Sequence, residues 1–274
     1  MQRSVLSSSS FGGRGQVFSA PTRLAVVRRI MAATPAEQAK LDPDDPRHPA
    51  QKLTWRQRLG QSFNLPAIGH FGGVLMAGGS QALPHIGVPS IAALNWGALK
   101  KAGFKGCVFD KDNTLTEPYA HVVAPELSAS LEECKKQFDG KVVVYSNSAG
   151  LTEFDPEGKE AEMLGGTMGI HVLRHQSKKP DGGIDELETH FGCKAEQLIM
   201  VGDRYLIDTV FGNKHGMLTI HPDPITSHGE PKAVCAARKF EDTMVWRWRK
   251  QGKRAPQHPL ATPEVLEAAV IAGE

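Results

Sequence analysis

From Lys105 onward, short apolar runs alternate with longer segments whose apolar residues recur at helical spacing. Cys107 to Phe109, Lys141 to Tyr145, Ile170 to Leu173, Leu198 to Val201 and Met217 to Ile220 read as buried strands. Between them, Pro125 to Phe138, Asp155 to Leu164, Asp181 to Phe191 and Tyr205 to Asn213 read as helices. Pro125 fits a first turn, Gly165-Gly166 closes the second helix and Gly192 caps the third. Strand–helix alternation of this kind predicts an α/β fold, a Rossmann-like doubly wound parallel sheet with helices on both faces. No internal repeat is visible.

Upstream, Trp55 to Leu99 is apolar but rich in glycine. Phe71-Gly-Gly-Val-Leu-Met-Ala-Gly-Gly reads as a short helix between glycine pairs, packed on the main domain or on a membrane surface. The prolines of Leu83-Pro-His-Ile-Gly-Val-Pro-Ser-Ile forbid a regular helix there. Downstream, Pro231 to Lys250 reads as one helix with Phe240, Met244 and Trp248 on its apolar face. Trp246 lies about 200° around the axis from Trp248, so the two indoles serve different faces. Five basic residues and no acid occur between Arg247 and Arg254. They read either as a solvated cationic helix end, which the dipole favours, or as a patch facing anionic lipid.

Composition changes the picture only at the start of the chain. The 274 residues carry a net charge of +2 and are 40% hydrophobic, an ordinary globular balance with no footprint of a nucleic-acid binder. The four cysteines form no metal-type pair, which fits a reducing compartment. No run approaches a membrane-spanning length. The first 36 residues, however, hold Arg3, Arg14, Arg23, Arg28 and Arg29, a serine run from Ser7 to Ser10, and no acid. That is the signature of an organelle transit peptide, plastid or mitochondrial. The expected organisation is a transit peptide at 1–36, a proline- and aspartate-rich linker at 37–54, an apolar extension at 55–104 packed on the core or a membrane, a catalytic core at 105–225, and a C-terminal helix and tail at 226–274.

The chemistry gathers where the predicted strands end. Asp110 and Asp112 follow the first, Ser146 and Asn147 the second, Lys178-Lys179-Pro180 the third, and Asp203 and Asp208 the fourth. In a parallel sheet these ends share one edge, so the four clusters can meet in one crevice. Two acids in a turn are commonplace, but four polar clusters in this order are hard to explain as turns. Together they supply the parts of phosphoryl transfer: a nucleophile, a metal site and positive charge for the phosphate oxygens. Asp110 is the candidate nucleophile and Asp112 the candidate general acid and base. Asp203, Asp110 and a backbone carbonyl near Asp112 are the candidate holders of Mg2+, with Asp208 acting through water or orienting Lys179. Ser146, Asn147 and Lys179 are the candidate phosphate-binding groups. Asn113 suits a turn position with positive φ.

These residues resemble those of the haloacid dehalogenase (HAD) superfamily of phosphatases, over about residues 105 to 221. Asp110-Lys-Asp-Asn-Thr-Leu-Thr, Tyr145-Ser-Asn-Ser-Ala-Gly, Val172-Leu-Arg-His-Gln-Ser-Lys-Lys-Pro and Val201-Gly-Asp-Arg-Tyr-Leu-Ile-Asp resemble its mitochondrial and plastid phosphatidylglycerophosphatase branch. So does the Leu83 to Leu94 stretch with its Pro-x-x-x-x-Pro pattern. The resemblance implies a Mg2+-dependent enzyme that removes the terminal phosphate of phosphatidylglycerophosphate, in the synthesis of phosphatidylglycerol and cardiolipin. The short Glu117 to Ala124 piece, and the roughly thirty residues between Ser146 and Lys179, leave no room for a large cap domain. An open site suits a membrane-held headgroup, so peripheral membrane association in the organelle is expected. The competing readings are a phosphatase of a soluble phosphoester or phosphoprotein, a receiver-type signalling module and an inactive binding protein. The Asp-x-Asp-x-Thr and the later Gly-Asp-x-x-x-x-Asp disfavour the second. The absence of any lost motif position disfavours the third.

Overall fold

The computed structural model describes residues 79–271. The expected transit peptide, the linker and the extension as far as residue 78, including most of the glycine-flanked run from Phe71, lie outside the described residues.

Six strands form one all-parallel sheet: β1 (Ile86–Val88), β2 (Gly106–Phe109), β3 (Val142–Val144), β4 (His171–Val172), β5 (Leu198–Val201) and β6 (Leu218–Pro222). Their spatial order is β1-β6-β5-β2-β3-β4. From β2 the chain winds outward through β3 to β4, then returns to the other side of β2 as β5, so the winding reverses between β2 and β5. The sheet is the Rossmann-like α/β arrangement expected, and no large cap domain occurs among the described residues.

The inner strands were legible because both faces are covered. Every residue of β2, β3, β5 and β6 is buried, which forces the near-continuous apolar runs typical of parallel sheets. On one face Cys107, Phe109, Val142, Val144, Ile199 and Val201 pack against helices α1 (Trp96–Lys101), α2 (Ser128–Gln137) and α3 (Lys159–Met168). On the other, Val108, Val143 and Met200 pack with Leu187 and Phe191 of α4 (Ile184–Phe191) and Phe211 of α5 (Val210–Lys214). A smaller apolar cluster joins Leu83, Leu206 and Val210 to Val245 and Trp248 of α6 (Lys232–Lys250). The last helix, α7 (Pro263–Ala268), opens on Thr262, whose hydroxyl caps Val265 N–H.

Several elements differ from the sequence expectation. The segment between the two prolines is an edge strand, β1, so the sheet begins upstream of Lys105. Helix α3 starts later and runs through Gly165-Gly166 to Gly169, which takes φ 62° at the cap. Ala161, Leu164 and Met168 keep one buried row through both glycines. Asp155 is not helical; its carboxylate receives the Glu160 and Ala161 amides at 3.2 and 2.9 Å and so starts the helix. α4 begins at Ile184 rather than Asp181. The inner face of α6 is Val234, Glu241, Val245 and Trp248, whereas Phe240 is 47% exposed. Glu241 is buried against Arg204, Nη2 to Oε1 at 2.5 Å, and this ion pair lies on the same face as Val245 and Trp248. Trp246 faces outward, on a different side from Trp248 as the helical spacing predicts.

Candidate active site

The crevice lies at the C-terminal ends of β2, β3 and β5, at the point where the winding reverses, which is where open α/β sheets bind ligands. Phe109 is in register with Val144 and Val201. The residues that follow those three positions are therefore delivered to one edge. Asp110 continues the ladder, its N–H donating to the Val201 carbonyl at 2.8 Å.

The loop after Asp110 turns back on itself. The Leu115 and Thr116 amides donate to the Lys111 carbonyl at 3.0 and 3.1 Å, and Asn113 takes φ 61° to close the turn. Asp112 faces the crevice. Its Oδ1 accepts from Lys111 Nζ at 2.6 Å and from the Tyr119 amide at 2.7 Å. Lys111 is itself buried, with a second bond to the Ala120 carbonyl. Thr114 donates to Asp203 Oδ1 at 3.3 Å, tying the first acidic loop to the loop after β5.

That second loop is built for close approach. A side chain at Gly202 would put its Cβ 2.4 Å from Asp208 Cγ, so only glycine lets Asp208 fold back toward the strand end. Residues Tyr205–Thr209 form a single π turn, a feature common at functional sites. Within it Asp208 Oδ2 accepts the Arg204 amide at 3.2 Å.

Lys179 arrives from the loop after β4. Its ammonium donates to Asp110 Oδ1 at 2.7 Å and to Asp208 Oδ1 at 2.6 Å, and its side chain is fully buried. Asn147 holds it by the main chain, accepting Lys179 N–H at 2.8 Å on Oδ1. The Asn147 amide is therefore committed to Lys179 as well as lining the cleft. His175 spans the same two loops, with ring nitrogens 2.8 Å from the Ser146 and Ser177 carbonyls. Ser146 is buried beside Ser148, Oγ to Oγ 3.0 Å.

All seven residues picked from the sequence thus meet in one region: six line the cleft, and Lys179 lies beneath it, bonded to three of them. Asp110, Asp203 and Asp208 bring carboxylate oxygens within 4.8 Å of one another, while the Asp112 carboxylate stands outside this trio.

Sequence reasoning missed Arg238 and Glu230. Arg238, on α6, places Nη2 2.5 Å from Asp203 Oδ2 and donates to the Asp203 carbonyl at 3.1 Å. Glu230 holds that guanidinium with both oxygens and also accepts from Asn113 Nδ2 at 2.7 Å. No motif marks either residue, because the contact is made by a helix returning over the sheet edge. Lys111 and His175 lie within the motifs, but the motifs alone give them no role.

The electrostatics leave room for a cation. Asp110, Asp112, Asp203, Asp208, Glu230 and Glu241 face Lys111, Lys179, Arg204 and Arg238, a surplus of two negative charges when all are ionised. Burial pushes the Asp203 carboxyl up to about 7 even with Arg238 beside it. Burial likewise lifts Asp208 to about 6 against the pull of Lys179. Burial draws the Lys179 ammonium down, but Asp110 and Asp208 outweigh it and its pKa is raised. Asp203 Oδ2 accepts no aligned hydrogen bond despite its ion pair. Three convergent carboxylates short of positive charge are a hard-oxygen donor set, which fits a small divalent cation.

The sequence profile of the family described as mitochondrial PGP phosphatase matches residues 72–226. A chloroplastic phosphatidylglycerophosphate phosphatase 1 of Chlamydomonas reinhardtii is 54% identical over 213 residues, 78% of this chain and 79% of the relative. A chloroplastic/mitochondrial phosphatidylglycerophosphate phosphatase 1 of Arabidopsis thaliana is 43% identical over 204 residues, 74% of this chain and 59% of the relative. A probable phosphatase of Bacillus subtilis is 28% identical over 146 residues, 53% of this chain and 79% of the relative. No solved structure matches the chain.

Proposed function

Because the chain belongs to the mitochondrial PGP phosphatase family and is a phosphatase, we propose that it hydrolyses phosphatidylglycerophosphate to phosphatidylglycerol and phosphate, by way of an aspartyl-phosphate on Asp110 and with Mg2+ as cofactor. The observation that carries this reading is the fully buried Lys179 ammonium between Asp110 and Asp208, which supports a site built for a phosphate group beside the Asp110 carboxylate. The names of the relatives in Chlamydomonas and Arabidopsis support the lipid substrate and an organelle location. The basic, serine-rich first 36 residues support import by a transit peptide. A substrate held in the bilayer supports peripheral association with the membrane; no helix among the described residues is long and apolar enough to cross one.

In the first half-reaction an Asp110 oxygen attacks phosphorus, the bond to the glycerol oxygen breaks, and Asp112 gives its proton to that oxygen. In the second, water attacks the acyl-phosphate, Asp112 takes the water's proton, and the Asp110–phosphorus bond breaks to release phosphate. Lys111 and the Tyr119 amide both bind Asp112 Oδ1, which leaves Oδ2 for the proton. Lys179 and Ser146 bind phosphate oxygens, and Asp208 keeps Lys179 charged and aimed. Asp110, Asp203 and Asp208 would hold the Mg2+, directly or through water, with Asp112 contributing its main chain. When bound, the ion supplies positive charge for the phosphate oxygens.

The test is phosphate release by the full chain, with Mg2+, from phosphatidylglycerophosphate in mixed micelles against a panel of soluble phosphate esters. Preference for the lipid is expected. Faster release from a soluble ester points instead to a soluble-ester phosphatase.

A further inference from the structure

We propose that the outward face of α6 is a docking surface for a bilayer containing anionic lipid. The inner face is spoken for: Val245 and Trp248 pack in an apolar cluster, Val234 is buried at the crevice wall and Glu241 pairs with Arg204. The positions left in solvent carry Lys232, Lys239, Arg247, Arg249 and Lys250, against a single exposed acid, Asp242. Lys253 and Arg254 extend the basic surface beyond the helix end.

A cationic helix end alone is unremarkable. What separates this face from a solvated one is Trp246, 60% exposed among those cations, with Lys250 Nζ 5.8 Å from its ring centre. An indole left in water gives up the burial its apolar body favours, whereas the lipid–water boundary accommodates both the ring and the N–H. Cations around it gain from an anionic leaflet, each raising partitioning about fivefold. The apolar face of α6 is packed inside the protein, so the contact is not that of a helix lying in the lipid but of one exposed indole at headgroup level ringed by cations.

The same helix walls the cleft. Val234 and Arg238 line the crevice from its inner side, and Trp246 follows Val234 by twelve residues, roughly 18 Å along one rod. The docking face and the crevice wall are opposite sides of this helix, about 10 Å apart, so docking holds the crevice close to the bilayer with its rim beside the headgroups. The inference rests on the proposed lipid substrate for its purpose, but vesicle binding is measured without that substrate.

The experiment is sedimentation of the full chain with vesicles of phosphatidylcholine alone or with phosphatidylglycerol added. The wild-type chain is expected to bind the anionic vesicles and not the neutral ones, and to release them as salt rises. The combined variant Lys239→Gln, Arg247→Gln, Lys250→Gln should lose about a hundredfold in partitioning at unchanged melting temperature. Trp246→Ser should also weaken binding. No binding of the wild type to anionic vesicles, or equal binding by the triple variant, overturns the docking surface. Failure of the lipid-phosphatase assay with vesicle binding intact overturns the substrate instead.

Discussion

Lys179 meets Asp208 with Nζ 2.6 Å from Oδ1, and neither side chain is more than 2% exposed. The same nitrogen reaches Asp110. A buried ammonium shared by two carboxylates is costly to break, because removing one partner leaves the others uncompensated. Lys179→Met is therefore expected to lower turnover about 10² to 10³-fold, as loss of a phosphate donor does, and to destabilise the cation-free protein by about 3 to 5 kcal/mol. Denaturant unfolding in chelator and single-point kinetics check both; a Met variant with wild-type turnover contradicts the assignment.

Asp112→Asn keeps the size of the side chain and removes its proton chemistry. Turnover is expected to fall about 10² to 10⁴-fold with Mg2+ binding close to wild type, while the melting temperature drops because buried Lys111 loses its charged partner. Lys111→Met frees Oδ1 of Asp112 and should reduce kcat more than it alters KM. Retention of most activity in Asp112→Asn removes Asp112 from the proton transfers.

Chelation tests the donor set of Asp110, Asp203 and Asp208. The chain stripped of divalent ions is expected to be inactive and to melt lower. Mg2+ at a hundred times its Kd should restore about 2.7 kcal/mol of stability. Asp203→Asn should abolish the Mg2+-dependent shift in melting temperature, and an undiminished shift in that variant places the ion elsewhere.

His85 provides a pH test away from the site. Burial, and then neighbouring His258, hold its pKa down at about 4, while its ring nitrogens bond Thr219 and the Pro256 carbonyl. The folded state therefore binds the proton less readily than the unfolded state. Its contribution is complete above the unfolded value near 6.5 and is lost as pH falls toward 4. The loss is about 1.4 kcal/mol at most per pH unit in that window. The acid-side loss of melting temperature should be shallower in His85→Asn than in the wild type; parallel curves contradict the buried neutral imidazole.

Much of this was legible before the structure. Strands covered on both faces must be apolar throughout, so β2, β3 and β5 declared themselves, and the acids at their ends fell into one crevice because all the strands run parallel. β1 was hidden because three residues between prolines carry no alternation to read. The α6 face was misjudged because the pattern counts Glu241 as polar, while the fold buries it against Arg204. Gly165-Gly166 looked like a stop, yet a buried row carries the helix past both. Arg238 could not be found, since its contact with Asp203 depends on where a distant helix lands rather than on any local spacing.

The central claim is that Asp110 carries the phosphate taken from the lipid. Phosphatidylglycerophosphate labelled in its terminal phosphate, mixed with the full chain and Mg2+ and quenched in acid within one turnover, tests it most directly. The account predicts label on the peptide containing Asp110, released as phosphate on further incubation and missing in Asp110→Asn. Label on another residue, or hydrolysis that persists in Asp110→Asn, contradicts it.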